Sequence, residues 1–305
     1  MSAGHAHAHG LPDNRGRLAI ALSLTSVVLV VEVIGAAVTG SLALFADAGH
    51  MLTDAAGLVI ALIAAMLARR PPTDKRTWGY QRAEVLAATL QAAILLAVGA
   101  FVLVEGIQRL FAPPEVASGL MLVFGVIGLV ANIVALLVLA GGRRHSMNMR
   151  AAFLEVLNDA LGSVAVIVAA VVIATTGYLQ ADAIVSILIA LLIVPRTVLL
   201  LRDTVSVLLE STPRGLDLGQ VREHLLGQEH VLGVHDLHAT QVASGLPVLT
   251  AHVVLDESCF HDGHAPEMLV KLQACVAGHF PISIEHSTFQ FETADHRSSE
   301  HAAHA

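Results

Sequence analysis

The chain has 305 residues, 55% of them hydrophobic and only 14% charged, with a mean hydropathy of +0.71. Ordinary soluble domains carry roughly 25% charged residues, so most of this chain is built for lipid, which excludes a soluble enzyme or a disordered protein. A formal net charge of -8 with 17 Lys and Arg leaves no basic surface able to neutralise a run of phosphates, which excludes nucleic acid as a partner.

The first 14 residues form a polar tail in which His5, His7 and His9 alternate, a weak metal-binding pattern when it is more than a solvated tail. Six apolar stretches follow, each long enough for a hydrocarbon core about 30 Å thick. They are predicted at 17 to 39, 42 to 68, 84 to 108, 116 to 141, 149 to 175 and 178 to 195. The first runs too long for a signal peptide's apolar segment and is expected to remain as a spanning helix. Basic residues gather before helix one, between helices two and three, between four and five, and after six. The opposite loops hold only Arg109. By the positive-inside rule both termini face the cytoplasm, and the protein resides in the cell (inner or plasma) membrane.

Polar groups inside such helices are costly and need a reason. Helix two carries Asp47, His50 and Asp54 at spacings of three and four, which stacks them on one stripe. Helix five carries Glu155 and Asp159, again four apart. Aligning His50 with Glu155 pairs Asp54 with Asp159, Ala55 with Ala160 and Gly57 with Gly162, an internal repeat at an offset of 105 residues. The two glycines are expected to let the helices approach closely. His50, Asp54, Glu155 and Asp159 would then surround one divalent ion near mid-membrane, with Asp47 behind them. The competing reading is a buried structural network or a bare proton relay. Glu32, Gln91 and Asn132 are read as bonding between helices. Glu84, Glu105, Glu115 and Asp182, near helix ends, are read as solvated.

A composition shift after the sixth helix opens a small α+β domain, assigned to 206–293 after a membrane domain over 15–205. A helix is expected over 217 to 228, strands over 233 to 243 and 247 to 255, a helix over 265 to 279 and a last strand over 282 to 291. That order suggests an open sandwich of the ferredoxin-like kind. Neighbouring strands can bring His235, His252 and His286 together as a second metal site. His238, His261 and His264 receive no role. Residues 294–305 are low in complexity and expected to be disordered, with His296, His301 and His304 dotted along them. Cys259 and Cys275 make neither a disulfide framework nor a four-thiolate zinc site.

Several of these stretches resemble the cation diffusion facilitator family. SLALFADAGHMLTDAAG over Ser41 to Gly57 and RAAFLEVLNDALGS over Arg150 to Ser163 look like its helix-two and helix-five signatures. LLESTP at 208 to 213, VHDLH at 234 to 238, TAHVVL at 250 to 255 and EHSTFQFE at 285 to 292 resemble its junction and C-terminal motifs. The resemblance implies a homodimeric zinc/proton antiporter, six helices with both ends cytoplasmic, and a metal-binding C-terminal domain. It matches His50, Asp54 and Asp159 to the family's transport site, and His235, His252 and His286, with Glu292 as companion, to its cytoplasmic zinc positions. Zn2+ is both the expected cargo and a regulatory ion, with protons as counter-ion.

Two departures matter. Zinc-transporting members usually have histidine where this chain has Glu155, and one histidine with three carboxylates carries -1 with a divalent ion bound, where two and two would be neutral. More oxygen donors suit harder ions, so a member preferring Mn2+, Fe2+, Co2+ or Cd2+ is the alternative within the family, and a metal-regulated channel the alternative outside it. The loop from Pro71 to Gln81 has no histidine, so an extra loop site is not expected.

Overall fold

A computed structural model of the protein describes residues 15–140 and 147–299. Six long helices come first: α1 (Arg15–Thr39), α2 (Leu42–Ala68), α3 (Ala83–Phe111), α4 (Ser118–Ala140), α5 (Met147–Thr176) and α6 (Gln180–Leu208). Each contains a span long and apolar enough to cross a bilayer. Then come α7 (Leu218–Leu226), β1 (Val231–Ala243), β2 (Leu246–Leu255), a single 3-10 turn, α8 (His264–Gly278), β3 (His286–Glu292) and α9 (Ala294–Ser299). The predicted elements match this order. The tail histidines His5, His7, His9, His301 and His304, and the basic loop before α5, lie outside the described residues.

Three boundaries differ from the expectation, one being the last strand, which begins at His286 rather than at 282. The sixth apolar stretch was expected to close at 195, with Arg196 and Arg202 marking its end. The helix instead runs on to Leu208. Pro195 deprives only the Leu191 carbonyl of its amide donor, a loss that a membrane helix packed among its neighbours tolerates. The chain after β3, expected to be disordered, forms α9, whose first turn is tied by the His296 amide donating to Thr293 Oγ1 at 3.3 Å.

The chain divides into two compact units, Met1–Val59 with Gln91–Leu199, and Ile60–Leu90 with Leu200–Ala305. In the first, small residues let helices close on one another. Ala43 and Leu44 of α2, Met121 of α4, Val166, Ala169 and Ala170 of α5 and Ala181 of α6 share one buried cluster, and Leu42, Ala46, Val102, Ile189 and Ala190 share another. The outer faces are covered with exposed Leu, Val and Ile, as a lipid-facing surface requires. The α1–α2 corner turns at Gly40, whose φ of 71° favours glycine.

Asp182, expected to be solvated, is 2% exposed and closes that corner. Its carboxylate accepts from Ser41 Oγ at 2.5 Å, from the Leu42 amide at 2.8 Å and from the Ala43 amide at 3.2 Å, and so caps the N-terminus of α2 from the first turn of α6. Arg109 lies 3.9 Å from the same carboxylate and donates to the Gly40 carbonyl at 2.8 Å. A charge that the sequence places at a helix end serves here as the bolt between two helices.

In the second unit a three-stranded sheet in the order β1-β2-β3 packs one face on α7 and α8. β1 and β2 form an antiparallel hairpin turning at Gly245 (φ 75°), and β2 pairs with β3 in parallel. Val234, Leu237, Ala239, Leu249, Ala251, Val253 and Leu255 face Val221, Leu225, Met268, Leu272 and Val276 in the core. Strict alternation would send His235 and His238 to opposite faces. A bulge between them, with Asp236 at φ 44°, restores the register, so that Leu237 joins the core and both histidines share the face away from the helices.

Candidate metal centres

On α2, His50 Nε2 lies 3.4 Å from Asp54 Oδ2, the contact their spacing of four predicts. Gln91 of α3 hydrogen-bonds Asp54, and Arg196 of α6 acts electrostatically on both Asp54 and Glu155. On α5, Asp159 is 4% exposed and feels the charges of Asp47, Glu155 and Asp54, while Glu155 is the exposed member of its pair. The helix-two and helix-five pairs thus act on one another, but their donor atoms do not form one close cluster. Three mutually repelling carboxylates favour such spacing.

Asp47 points elsewhere. It is buried at 4% exposure and shares a hydrogen bond with Glu32 of α1, itself 1% exposed. Glu32, Ser163 and Asn132 line the wall beside it: an added Cβ on Gly128 would stand 3.2 Å from both Glu32 Oε1 and Ser163 Oγ, and Asn132 Nδ2 donates to Ser163 Oγ at 3.5 Å. The sequence reading of Glu32, Asn132 and Gln91 as cross-helix groups agrees with this geometry.

Of the repeated glycines, Gly162 of α5 receives a side chain from α2, whereas Gly57 of α2 faces α3 rather than α5. Each makes room for a polar side chain from another helix. A Cβ on Gly162 would lie 2.7 Å from Asp47 Oδ1, and one on Gly57 would lie 2.0 Å from the Gln91 amide carbon. Glycine at both repeat positions therefore lets one polar group cross in beside each i, i+4 couple.

The C-terminal sheet presents a tighter group. His235 of β1 and His252 of β2 are directly cross-strand, their rings 5.1 Å apart. Glu292 at the end of β3 joins them, with its carboxylate 3.1 Å from His235 Nε2 and 2.5 Å from His252 Nδ1. All three donor atoms lie within 4.8 Å of one another. His235 and Glu292 are 2% and 3% exposed, and the Glu292 carboxylate is met by both imidazoles and by Gln290, whose Nε2 donates to its Oε1 at 2.8 Å.

His286, expected in this group, is not in it. The parallel register places His286 opposite Val248, four rows from His252, which is roughly 13 Å along the strand. Its ring packs on Trp78 at 4.8 Å instead. His238 lines a groove beside His252 with Asp236 and Gln290. His264 opens α8 with Nδ1 2.8 Å from Asp262, a hydrogen bond that raises the pKa of its imidazole, and its ring stacks on His230. His261 closes the 3-10 turn. On the other side of the domain His224, Cys275 and His279 also converge, a grouping unpredicted from sequence although Cys275 and His279 stand four apart.

Six spanning helices, two of which carry paired carboxylate and imidazole groups that act on one another, followed by a domain with a histidine–carboxylate cluster, define a membrane transporter of metal cations. The sequence profile of the cation efflux transmembrane domain matches residues 18–209, and the chain belongs to that family, whose members are transporters rather than enzymes.

Its relatives span essentially its whole length. It is 42% identical over 304 residues to the metal cation efflux system protein CzcD of Cupriavidus metallidurans, covering 100% of this chain and 94% of that one. It is 40% identical over 295 residues to the zinc transporter ZitB of Escherichia coli (94% and 92% covered) and 36% identical over 295 residues to the cadmium, cobalt and zinc/H(+)-K(+) antiporter of Bacillus subtilis (96% and 93% covered). A solved metal-bound C-terminal domain of the CzcD transporter is 38% identical, covering 25% of this chain and 99% of that one, with a TM-score of 0.22. The protein is a multi-pass membrane protein that exports divalent metal cations.

Proposed function

We propose that the protein exchanges cytoplasmic Zn2+ for external protons by alternating access, with His50, Asp54, Glu155 and Asp159 as the transport ligands. The observation that carries this reading is the pair of i, i+4 couples on α2 and α5, His50 with Asp54 and Glu155 with Asp159, whose charges act on one another inside the apolar bundle. Both termini and the C-terminal domain lie on the cytoplasmic side, as the distribution of arginines indicates. The ion loads from the cytoplasm, α2 and α5 rock with their neighbours, and release outward follows as protons take its place. Antiport is a consequence of site chemistry, because the same carboxylates and imidazole must be deprotonated to bind metal. The Bacillus relative's name, which couples zinc, cadmium and cobalt to protons and potassium, supports an exchange mechanism.

In the C-terminal domain, His235, His252 and Glu292 hold a regulatory zinc ion, two imidazoles and a carboxylate being a donor set zinc accepts. Binding there favours one geometry of a homodimer and so tunes efflux to cytoplasmic supply.

Glu155 supports a second reading, a preference shifted toward harder ions such as Mn2+. Flux of zinc, cadmium, cobalt, iron and manganese into proteoliposomes, compared for wild type and Glu155→His across a range of pH, separates the two. The substitution is expected to raise zinc over manganese relative to wild type and to move the pH profile. Identical ion ranking and identical pH profiles in both proteins would remove Glu155 from the ligand set.

A further inference from the structure

α7 and α8 lie together against the inner face of the C-terminal sheet, and their C-terminal ends bring three donor side chains into one place. His224 is in the last turn of α7, Cys275 in the last turn of α8, and His279 is the residue that caps α8. The spacing of four puts Cys275 and His279 on one stripe of the helix. His279 Nδ1 lies 3.4 Å from Cys275 Sγ, the rings of His224 and His279 are 5.8 Å apart, and one donor atom from each of the three residues falls within 4.8 Å of the others. Phe280 packs edge-on against His224 at 5.1 Å and gives the group an apolar wall.

Bond lengths of about 2.0–2.1 Å to imidazole nitrogen and about 2.3 Å to thiolate, at tetrahedral angles, require donors roughly 3.3–3.8 Å apart. His279 Nδ1 and Cys275 Sγ, 3.4 Å apart, already stand at that separation, and no pair in the group has to close by more than about 1.5 Å. Both imidazoles are exposed and can supply that by small side-chain rotations, while Cys275 is fixed by the core at 2% exposure. Burial pushes the Cys275 thiol up, so it rests as a neutral thiol unless a cation stands against it.

This group is separate from the one on the sheet. His235, His252 and Glu292 occupy the face turned away from the helices, whereas Cys275 stands beside Leu272 and Val276, which pack on the opposite face. The two donor sets also differ in kind: one offers two nitrogens and a carboxylate, the other two nitrogens and a sulfur. Sulfur selects thiophilic ions.

We propose that His224, Cys275 and His279 form a second, independent metal site in the C-terminal domain, selective for thiophilic divalent ions of the zinc and cadmium class, with solvent in the fourth position. Occupancy ties the end of α7 to the end of α8, and α7 is the first element after the last spanning helix. The domain thus carries one site that accepts borderline and harder ions and one that rejects the harder ones.

The test uses the full-length protein in detergent, stripped of metal and kept reduced, titrated with Co2+ while the near-ultraviolet thiolate-to-cobalt charge-transfer band is recorded. The chain has only two cysteines, and imidazole or carboxylate sites, tail histidines included, give no such band. Wild type and Cys259→Ser are expected to develop a saturable band with an amplitude corresponding to one thiolate-bound Co2+ per chain, and Zn2+ or Cd2+ but not Mn2+ should abolish it. Cys275→Ser should lose the band. Because Cys275 is part of the core, His224→Ala and His279→Ala, both at exposed positions, provide the second arm, each expected to require at least about tenfold more Co2+ to reach half-saturation. Absence of the band in wild type, its survival in Cys275→Ser, or unchanged half-saturation in both histidine variants would overturn the proposal.

Discussion

Gly162→Ala tests the packing around the transport helices most sharply. The added Cβ would stand 2.7 Å from Asp47 Oδ1, 3.0 Å from Oδ2 and 3.1 Å from Cγ, where ordinary contact begins near 3.4 Å. The carboxylate must then retreat by several tenths of an ångström, and it has little space because Asp47 and its partner Glu32 are both buried. Overpacking of this kind costs about 1–3 kcal/mol, and disturbing the hydrogen bond between the two carboxyl groups adds about 1.5–3 kcal/mol. Gly57→Ala looks worse on distance alone, at 2.0 Å from the Gln91 amide. Yet that amide is the far end of a flexible, partly exposed side chain, which can swing aside at the expense of its hydrogen bond to Asp54, so the cost should stay near that bond's net worth of about 0.5–1.5 kcal/mol. Thermal unfolding of the purified protein in detergent, followed by near-ultraviolet circular dichroism, should therefore rank wild type above Gly57→Ala and Gly57→Ala above Gly162→Ala. A Gly162→Ala protein as stable as wild type, or the reverse order of the two variants, would refute the reasoning that a buried, bonded carboxylate yields less than a mobile amide.

Asp182→Ala should lower thermal stability by roughly 1–3 kcal/mol, since it leaves the Ser41 hydroxyl and the first amides of α2 without their acceptor, and Asp182→Asn should cost less. Equal melting of all three proteins would show that the corner is held otherwise. Glu292→Gln should weaken zinc binding at the sheet face at least about tenfold in chelator competition on the full-length protein, while His286→Ala leaves it unchanged. The opposite pattern would return His286 to the site.

The sequence makes the membrane half almost fully legible, because a helix that must satisfy its own backbone in lipid announces itself as a long apolar run. Its one misplaced boundary, at 195, arises because Arg196 and Arg202 end the apolar run, whereas the helix itself carries them on to Leu208. The matched couples on α2 and α5 are visible because a spacing of four is a property of the helix itself. What the sequence hides is what depends on three-dimensional register. Glu292 rather than His286 completes the sheet cluster because β3 runs parallel to β2 in a register that no local pattern encodes. The bulge at Asp236, which puts His238 on the same face as His235, breaks the alternation from which the strand was predicted. Asp182 reads as a solvated helix end until the α1–α2 corner folds over it. His224 comes to Cys275 only through the packing of α7 on α8.

The most direct test of the account is flux through the paired sites. Wild type, Asp54→Ala and Asp159→Ala are reconstituted in proteoliposomes, and zinc uptake is recorded together with lumenal pH. Wild type should move zinc against protons, with the pH change reversing when the imposed gradient is reversed. Each variant should insert normally and lose both signals, because removing one carboxylate leaves too few ligands to draw zinc into the apolar bundle and removes a group on which protons and metal compete. More than half the wild-type zinc flux in either variant would contradict the assignment of the α2 and α5 couples as the path of the ion.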